Sequence, residues 1–356
     1  MISDGRNARL TRPEGAEQLA SLILQSAGVS PSEADVVARS LVLAELRGQA
    51  SHGLVRLETY VKRLKAGLIT TGRDPTLVAD TPALMIFDGH DGFGHVVGLR
   101  VMDACIARAR PTGIAAASVK NSTHFGIAGV FALRAAAAGM IGIAASNGAA
   151  RMPPVGTKTA VLGTNPLAIA VPAPGSEPLL LDMATSATAL GRIIVAKERG
   201  EAIPEGWALT KDGAATTDAA AALGGLILPM AGPKGFGLAL VLEVLSACLS
   251  GAAIGQRAGS MYNTWDRPEG LGHFFLAISL DATGRAEAFL ASIGELARQV
   301  HEAASVDGST HGLLPGEIEA RREAVSRREG IVIEPTVRTT LRRLADESGI
   351  AWTFDV

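Results

Sequence analysis

The stretch Arg47-Gly48-Gln49-Ala50-Ser51-His52-Gly53-Leu54-Val55-Arg56-Leu57-Glu58-Thr59-Tyr60 gathers a hydroxyl, an imidazole, a guanidinium and a phenol. Imidazole exchanges protons near neutral pH. A guanidinium matches a carboxylate with two parallel hydrogen bonds. Together they suit proton transfer on a small anionic substrate. Gly48 ends the preceding apolar run, and Ser51 is a favourable N-cap. Leu54, Leu57, Tyr60, Val61 and Leu64 then recur with helical period, so a helix is expected over 53–66, stopped by Gly67. His52 would sit in its first turn, with Arg56 and Tyr60 following on about the same face. The end of such a helix adds partial positive charge and free N–H groups. A serine cap beside a solvated histidine and arginine is the plainer account of the same residues.

Several elements must position this stretch. Helices are expected at 13–27 and 31–47. Thr11-x-x-Glu14 and Ser30-x-x-Glu33 read as capping boxes, Pro31 opens the second helix, and Gly28 and Gly48 are stops. After Thr70–Pro75 the composition shifts. Apolar runs at 84–87, 114–119, 140–145, 167–171 and 179–182 read as strands, with alanine-rich helices near 96–110, 127–138 and 234–250. Helical patterning returns near 289–304, 316–329 and 335–348. The expected organisation is an N-terminal helical segment (1–75), an α/β domain (76–290) and a C-terminal helical segment (291–356). Alternation alone leaves a parallel and a mixed sheet both open. Arg321-Arg322 and Arg327-Arg328-Glu329 read as a solvated helical face.

With 356 residues, 47% hydrophobic and 19% charged, the chain can bury more than one core. The net charge of -2 and the lack of any basic run argue against nucleic acid or an anionic membrane as partner. Cys105 and Cys248 lie in apolar helical runs and are expected to be buried free thiols. The opening residues, with Asp4, Arg6, Asn7 and Arg9, do not read as a signal sequence, and polar residues interrupt the apolar stretches before membrane-spanning length. A cytoplasmic location is the expectation.

The usual nucleotide motifs are absent. Gly92-Phe93-Gly94-His95-Val96-Val97-Gly98 approaches the dinucleotide fingerprint, but its third glycine comes one residue late, and no phosphate-binding Gly-x-x-x-x-Gly-Lys-Ser/Thr occurs. His124-Phe125-Gly126-Ile127-Ala128-Gly129 joins a strand to a helix and could present N–H groups to a phosphate, or be a plain turn. Gly163-Thr164-Asn165-Pro166 and Asp182-Met183-Ala184-Thr185-Ser186 lie at strand ends. Gly232-Pro233-Lys234-Gly235 opens a helix with a lysine in its first turn. The seven histidines show no zinc-site spacing, so no metal is expected. Asp88, His90, Asp91 and His95 make either a carboxylate–imidazole cluster or a polar loop.

In order along the chain, Arg47-Gly48-x-x-Ser51-His52-Gly53, Asn121-Ser122-Thr123-His124-Phe125-Gly126, Leu162-Gly163-Thr164-Asn165-Pro166-Leu167 and Asp182-Met183-Ala184-Thr185-Ser186 form a series. Ile203-Pro204-Glu205-Gly206-Trp207, Gly232-Pro233-Lys234-Gly235, Gly272-His273-Phe274-Phe275 and Leu314-Pro315-Gly316-Glu317 continue it. The series resembles the malate/L-lactate dehydrogenase family that lacks a Rossmann fold. Known members of that family include ureidoglycolate, sulfolactate and diketogulonate enzymes and reductases of cyclic imino acids. The resemblance implies an NAD- or NADP-dependent oxidoreductase with a non-Rossmann, mixed-sheet α/β cofactor domain. It also implies a helical domain built from both chain ends, and a homodimer. By position it makes Ser51 and His52 the relay and proton-transfer pair, with His124 a second acid–base candidate. Arg56 becomes the carboxylate-binding residue, and Thr164 a substrate contact; Tyr60, on the Arg56 face, is counted with them. His124, Phe125, Gly126, Ile127, Ala128, Asp182, Met183, Ala184, Pro233, Lys234, Pro315 and Gly316 become cofactor contacts. Met230-Ala231, Arg192, Phe236 and Leu313 depart from the usual pattern, which bears on substrate and cofactor choice.

Reduction of a 2-oxo acid delivers hydride to the carbonyl carbon and needs a proton for its oxygen, for which histidine is the natural donor. A helix end should lower the His52 pKa, and a bound carboxylate should raise it. The leading expectation is a 2-hydroxy acid dehydrogenase acting on a small carboxylate. A reductase of a cyclic imine carboxylate needs the same clamp and hydride. A non-catalytic binding protein on the same scaffold is the alternative of another class, and the joint presence of Ser51, His52, Arg56 and Lys234 speaks against it.

Overall fold

The structure, a computed structural model, describes residues 10–175, 177–306, 308, 311–352 and 354. The chain begins with α1 (Pro13–Ser26) and α2 (Pro31–Leu46). The Ser30 hydroxyl accepts from the Glu33 N–H, so that capping box forms. The box at Thr11 does not. Pro13 opens α1 and makes Arg12 its N-cap, so Thr11 lies one residue too early. Thr11 belongs instead to β1 (Leu10–Thr11), antiparallel to β12 (Ile331–Val332). Gly28, Gly48 and Gly67 take φ of 93°, 75° and 69° at the expected stops, where a Cβ would be strained.

The main correction follows Gly48. No helix starts at 53. Two 3-10 turns, Ala50–His52 and Leu54–Arg56, precede α3 (Leu57–Lys65), and Ser51 caps neither. Glu45, on α2, accepts the Leu54 N–H at 2.8 Å, and a side chain at Gly53 would collide with that carboxylate. The turn is thereby tied down on α2 before α3 begins. Arg47 pairs with Glu323 at 2.9 Å, and Gly48 lies beneath Arg322; both partners sit on α10 (Glu317–Glu329).

The central sheet is mixed. Its order is β2 (Thr76–Asp80), β3 (Leu84–Gly92), β4 (Ile114–Ser122), β11 (Leu271–Ser279), β5 (Met140–Ser146), β6 (Leu167–Val171), β7 (Leu179–Met183). The β3–β4 pair is parallel and the other neighbours are antiparallel. Five of these strands match the apolar runs; β2 and β11 are additions. Alternation along β4 and β11 separates the two faces. Ala115, Ala117, Val119, Phe275 and Ala277 pack with α4 (Gly94–Thr112) and α5 (Gly129–Ala136). Ala116, Phe274 and Leu276 pack with Leu242 of α8 (Pro233–Glu243), which runs on into a π-helical turn at Val244–Cys248. Small residues permit the close fit: a Cβ on Gly142 of β5 would lie 2.5 Å from the Ala132 carbonyl oxygen.

A smaller sheet of β8 (Ala208–Leu209), β9 (Ala215–Thr216) and β10 (Leu226–Ile227) packs with α6 (Leu190–Arg199) and α7 (Ala219–Leu223) around Ile193, Ile203 and Ile227. The chain closes with α9 (Ala286–His301), α10 and α11 (Pro335–Glu347). One apolar core joins Leu19, Leu24 and Leu41 to Leu341, Leu344 and Phe354, so both ends of the chain share it. Each fully buried side chain of this kind contributes about 1.5–3 kcal/mol. Cys105 is buried as expected, whereas Cys248 is exposed, because Leu242, Ser246 and Ala247 take the inward side of that helix. No helix among the described residues is long and apolar enough to cross a membrane.

Candidate active site

The turn at 50–56 and the loop after β4 bring the expected catalytic residues together. The His52 and His124 rings stack with centroids 5.7 Å apart and planes 17° from parallel. Ser51 Oγ is hydrogen-bonded to His52 Nδ1 at 3.0 Å. A Cβ on Gly191, in α6, would lie 2.6 Å from the Ser51 Cβ, so a bare glycine lets α6 close on this serine. Tyr60 Oη lies 2.7 Å from His124 Nδ1. That nitrogen also accepts the Gly126 N–H at 3.3 Å. It therefore carries no proton: Tyr60 donates to it, and the His124 proton resides on Nε2. The Arg56 guanidinium lies over the Tyr262 ring at 5.2 Å. Its Nε is buried without a hydrogen-bond partner among the described residues.

Burial keeps both imidazoles neutral. It lowers the His52 pKa to about 4, with help from the Arg56 charge. Burial likewise puts His124 well below the ordinary histidine value, with Arg56 and then His52 adding to the shift. The cause is not the helix end expected from sequence, since α3 starts five residues after His52. Burial pushes the Tyr60 phenol upward, so it stays protonated and can donate. Burial and the nearby Arg151 charge lower the Arg56 pKa, against the opposing influence of Tyr60.

The residues matched to cofactor contacts lie in four segments of the chain. Phe125, Ile127 and Ala128 are buried, and the Phe125 ring stacks on His273 at 4.6 Å. Their side chains serve the core. Asp182 accepts the Gly129 N–H at 2.9 Å and a hydrogen bond from the Gln49 side chain. It clamps β7, α5 and the turn at 47–52 together, and burial raises its pKa to about 6. Met183 ends β7 and Ala184 follows it, both half-buried. The Pro315 carbonyl accepts the Leu180 N–H at 2.9 Å, which holds Pro315-Gly316 against the same strand. Pro233 and Lys234 are exposed on the first turn of α8, which follows Met230, whose N–H bonds the Thr185 carbonyl at 3.0 Å, and Lys234 has no ion-pair partner among the described residues. The Thr164 carbonyl accepts from Thr185, which ties the two strand-end loops to each other.

Sequence spacing missed five residues around this centre. Glu269 and Arg63 form a buried ion pair at 3.4 Å, and Glu269 also accepts the His124 backbone N–H. Tyr262 supports Arg56, and Arg151 bears on it electrostatically. His95 sets its ring edge-on to Tyr60 at 5.5 Å, with neither ring nitrogen hydrogen-bonded among the described residues. The sequence groups it with Asp88, His90 and Asp91. Of these, His90 lies 3.4 Å from Asp88, whose carboxylate also accepts from Asn121, so the polar-loop account holds for them and His95 leaves the group. Local sequence offers no signal for Glu269 or Tyr262, which lie far along the chain from the residues they support.

A sequence profile of the malate/L-lactate dehydrogenase family matches residues 11–342. The L-sulfolactate dehydrogenase of Methanocaldococcus jannaschii is 37% identical over 341 residues, 96% of this chain and 98% of its own. The (2R)-3-sulfolactate dehydrogenase (NADP(+)) of Chromohalobacter salexigens is 35% identical over 92% of this chain and 95% of its own. The crystal structure of malate dehydrogenase from Entamoeba histolytica superposes with a TM-score of 0.92 at 29% identity, covering 97% of this chain and 99% of that one. The chain belongs to the malate/L-lactate dehydrogenase family and is an oxidoreductase.

Proposed function

We propose that the protein transfers a hydride between NAD(H) or NADP(H) and a small 2-hydroxy or 2-oxo carboxylic acid, at the site formed by Ser51, His52, Arg56, Tyr60 and His124. The carrying observation is Arg56, a guanidinium without a carboxylate partner among the described residues, set beside two neutral imidazoles. Arg56 holds the substrate carboxylate. Pairing offsets the charge that helps depress His52, so its pKa rises as substrate binds. His52 then gives its proton to the carbonyl oxygen in reduction and takes it from the hydroxyl in oxidation. Ser51 fixes the ring through Nδ1 and leaves Nε2 for the substrate. His124, with its proton on Nε2, is the second donor candidate.

The nicotinamide, when bound, supplies or accepts the hydride. The residues present fit such a group. Gly126 has a φ of 77°, and a Cβ there would meet His95 Nε2 at 2.7 Å, so that loop stays bare beside the catalytic imidazoles. Exposed Lys234, with its charge unpaired among the described residues, suits a phosphate. Relatives bearing the names sulfolactate and malate dehydrogenase support the hydroxy acid reading. Fluorescence titration with NADH and with NADPH tests the cofactor: saturable binding of at least one is expected, and binding of neither at millimolar concentration would sink the proposal.

A further inference from the structure

Arg56 caps α3, and Tyr60 and Arg63 follow it at helical spacing, so the three side chains share one face of that helix. Arg63 is 0% exposed. Its Nη1 donates to the Thr264 carbonyl at 2.8 Å and to the Met261 carbonyl at 3.4 Å. Its Nε faces Glu269 at 3.4 Å, and its guanidinium lies over the Trp265 ring at 5.4 Å. The turn it grips is also bonded within itself. The Thr264 N–H reaches the Ser260 carbonyl at 2.9 Å, the Ser260 N–H reaches Thr264 Oγ1 at 2.9 Å, and the Trp265 indole donates to the Tyr262 carbonyl at 2.7 Å. Tyr262 stands inside this turn with its ring against the Arg56 guanidinium. The tyrosine is 38% exposed, so core packing holds it only in part and the backbone of the turn carries the rest. With its Nε unpaired among the described residues, Arg56 takes its orientation from that ring face. A buried guanidinium is costly to desolvate, and an apolar side chain could fill the same space. What the fork adds at Arg63 is direction, through bonds to two carbonyls of one turn.

We infer that Arg63 is a positioning residue for the substrate clamp. Arg63 fixes the turn, the turn fixes the Tyr262 ring, and the ring aims the Arg56 guanidinium at the substrate carboxylate. The inference rests on the 2-oxo acid reading above and adds how its carboxylate-binding residue is held.

The test measures kcat and KM with pyruvate, oxaloacetate, 2-oxoglutarate and 3-sulfopyruvate. The proteins are the wild type, Tyr262→Ala, Tyr262→Phe, Arg63→Lys and the double variant Arg63→Lys with Tyr262→Ala. Lysine keeps Glu269 paired in the core but lacks the fork. Tyr262→Ala is expected to raise KM roughly 2–30-fold, the range of one cation–ring contact, with a smaller change in kcat. Tyr262→Phe keeps the ring face and recovers most of that KM. Arg63→Lys raises KM in the same direction and adds nothing further on top of Tyr262→Ala. NADH and NADPH titrations of each variant show that fold and cofactor site survive. Three results would overturn the inference while leaving the 2-oxo acid reading intact: an unchanged KM in Tyr262→Ala, an unchanged KM in Arg63→Lys, or effects of the two that multiply in the double variant. Failure of the wild type on every 2-oxo acid overturns both.

Discussion

Ser51, His52, Arg56 and Tyr60 were legible because four chemically distinct side chains crowd one short stretch. His124 was legible only through its motif. What the sequence could not supply was the state of the protons. Burial, helped by the Arg56 charge, makes both imidazoles neutral, and the Gly126 N–H decides which His124 nitrogen is protonated. His52→Ala should mainly lower kcat, by about 10²–10⁴-fold, since its proton is needed as charge develops on the carbonyl oxygen. Arg56→Met should mainly raise KM, because its bond exists in ground and transition states alike. His124→Ala should chiefly weaken nicotinamide binding. If instead His124→Ala abolishes turnover with cofactor affinity intact while His52→Ala keeps most of its kcat, the two histidines exchange roles. His95 makes a second prediction. Burial lowers its pKa to about 3, against about 6.5 in an unfolded chain. Between pH 7 and pH 5 the unfolded state takes up a proton that the folded state refuses, so stability falls as pH falls. His95→Phe removes that loss and should gain about 2 kcal/mol on the wild type over this interval. Urea midpoints at the two pH values measure it, and an equal difference at both would rule it out.

Elements with a clear period and clear stops were read well, as at α1, α2, β5 and β6. Those that failed had a physical competitor. Pro13 displaced the Thr11 cap, and Glu45 captured the Leu54 N–H and split the expected helix into two turns and α3. β11 runs through the middle of the sheet and is largely buried on both sides, so its sequence lacks the polar–apolar alternation that would mark it as a half-exposed strand. On α8, its π-helical turn and the residue that caps it, Leu240, Val241, Val244 and Leu249 are 47%, 54%, 48% and 40% exposed. An apolar face this open points to a protein partner, and we propose that a second copy of the chain covers it. Sedimentation at micromolar concentration should give twice the 36.6 kDa chain mass, and Val241→Glu with Val244→Glu should shift it toward the single chain. A wild type that sediments as a monomer would contradict the homodimer.

Across the whole molecule, the site lies where two cores meet. Tyr60 and Phe93 belong to the core shared by the two chain ends, and Phe125 and Ala128 to the core between the sheet and its helices. Glu269, from the segment before β11, closes beneath them through Arg63 and the His124 backbone. Motif order made the family legible, but nothing in local sequence says that residues 60, 124 and 269 converge, because long-range packing sets that. The central claim is hydride transfer to a 2-oxo acid held by Arg56. The most direct measurement follows nicotinamide absorbance while the protein is mixed with NADH or NADPH and a panel of 2-oxo acids and cyclic imine carboxylates. The account predicts oxidation of the cofactor with at least one 2-oxo acid, strongly reduced in Arg56→Met. Turnover of cyclic imines alone, or of no compound on the panel, would contradict it.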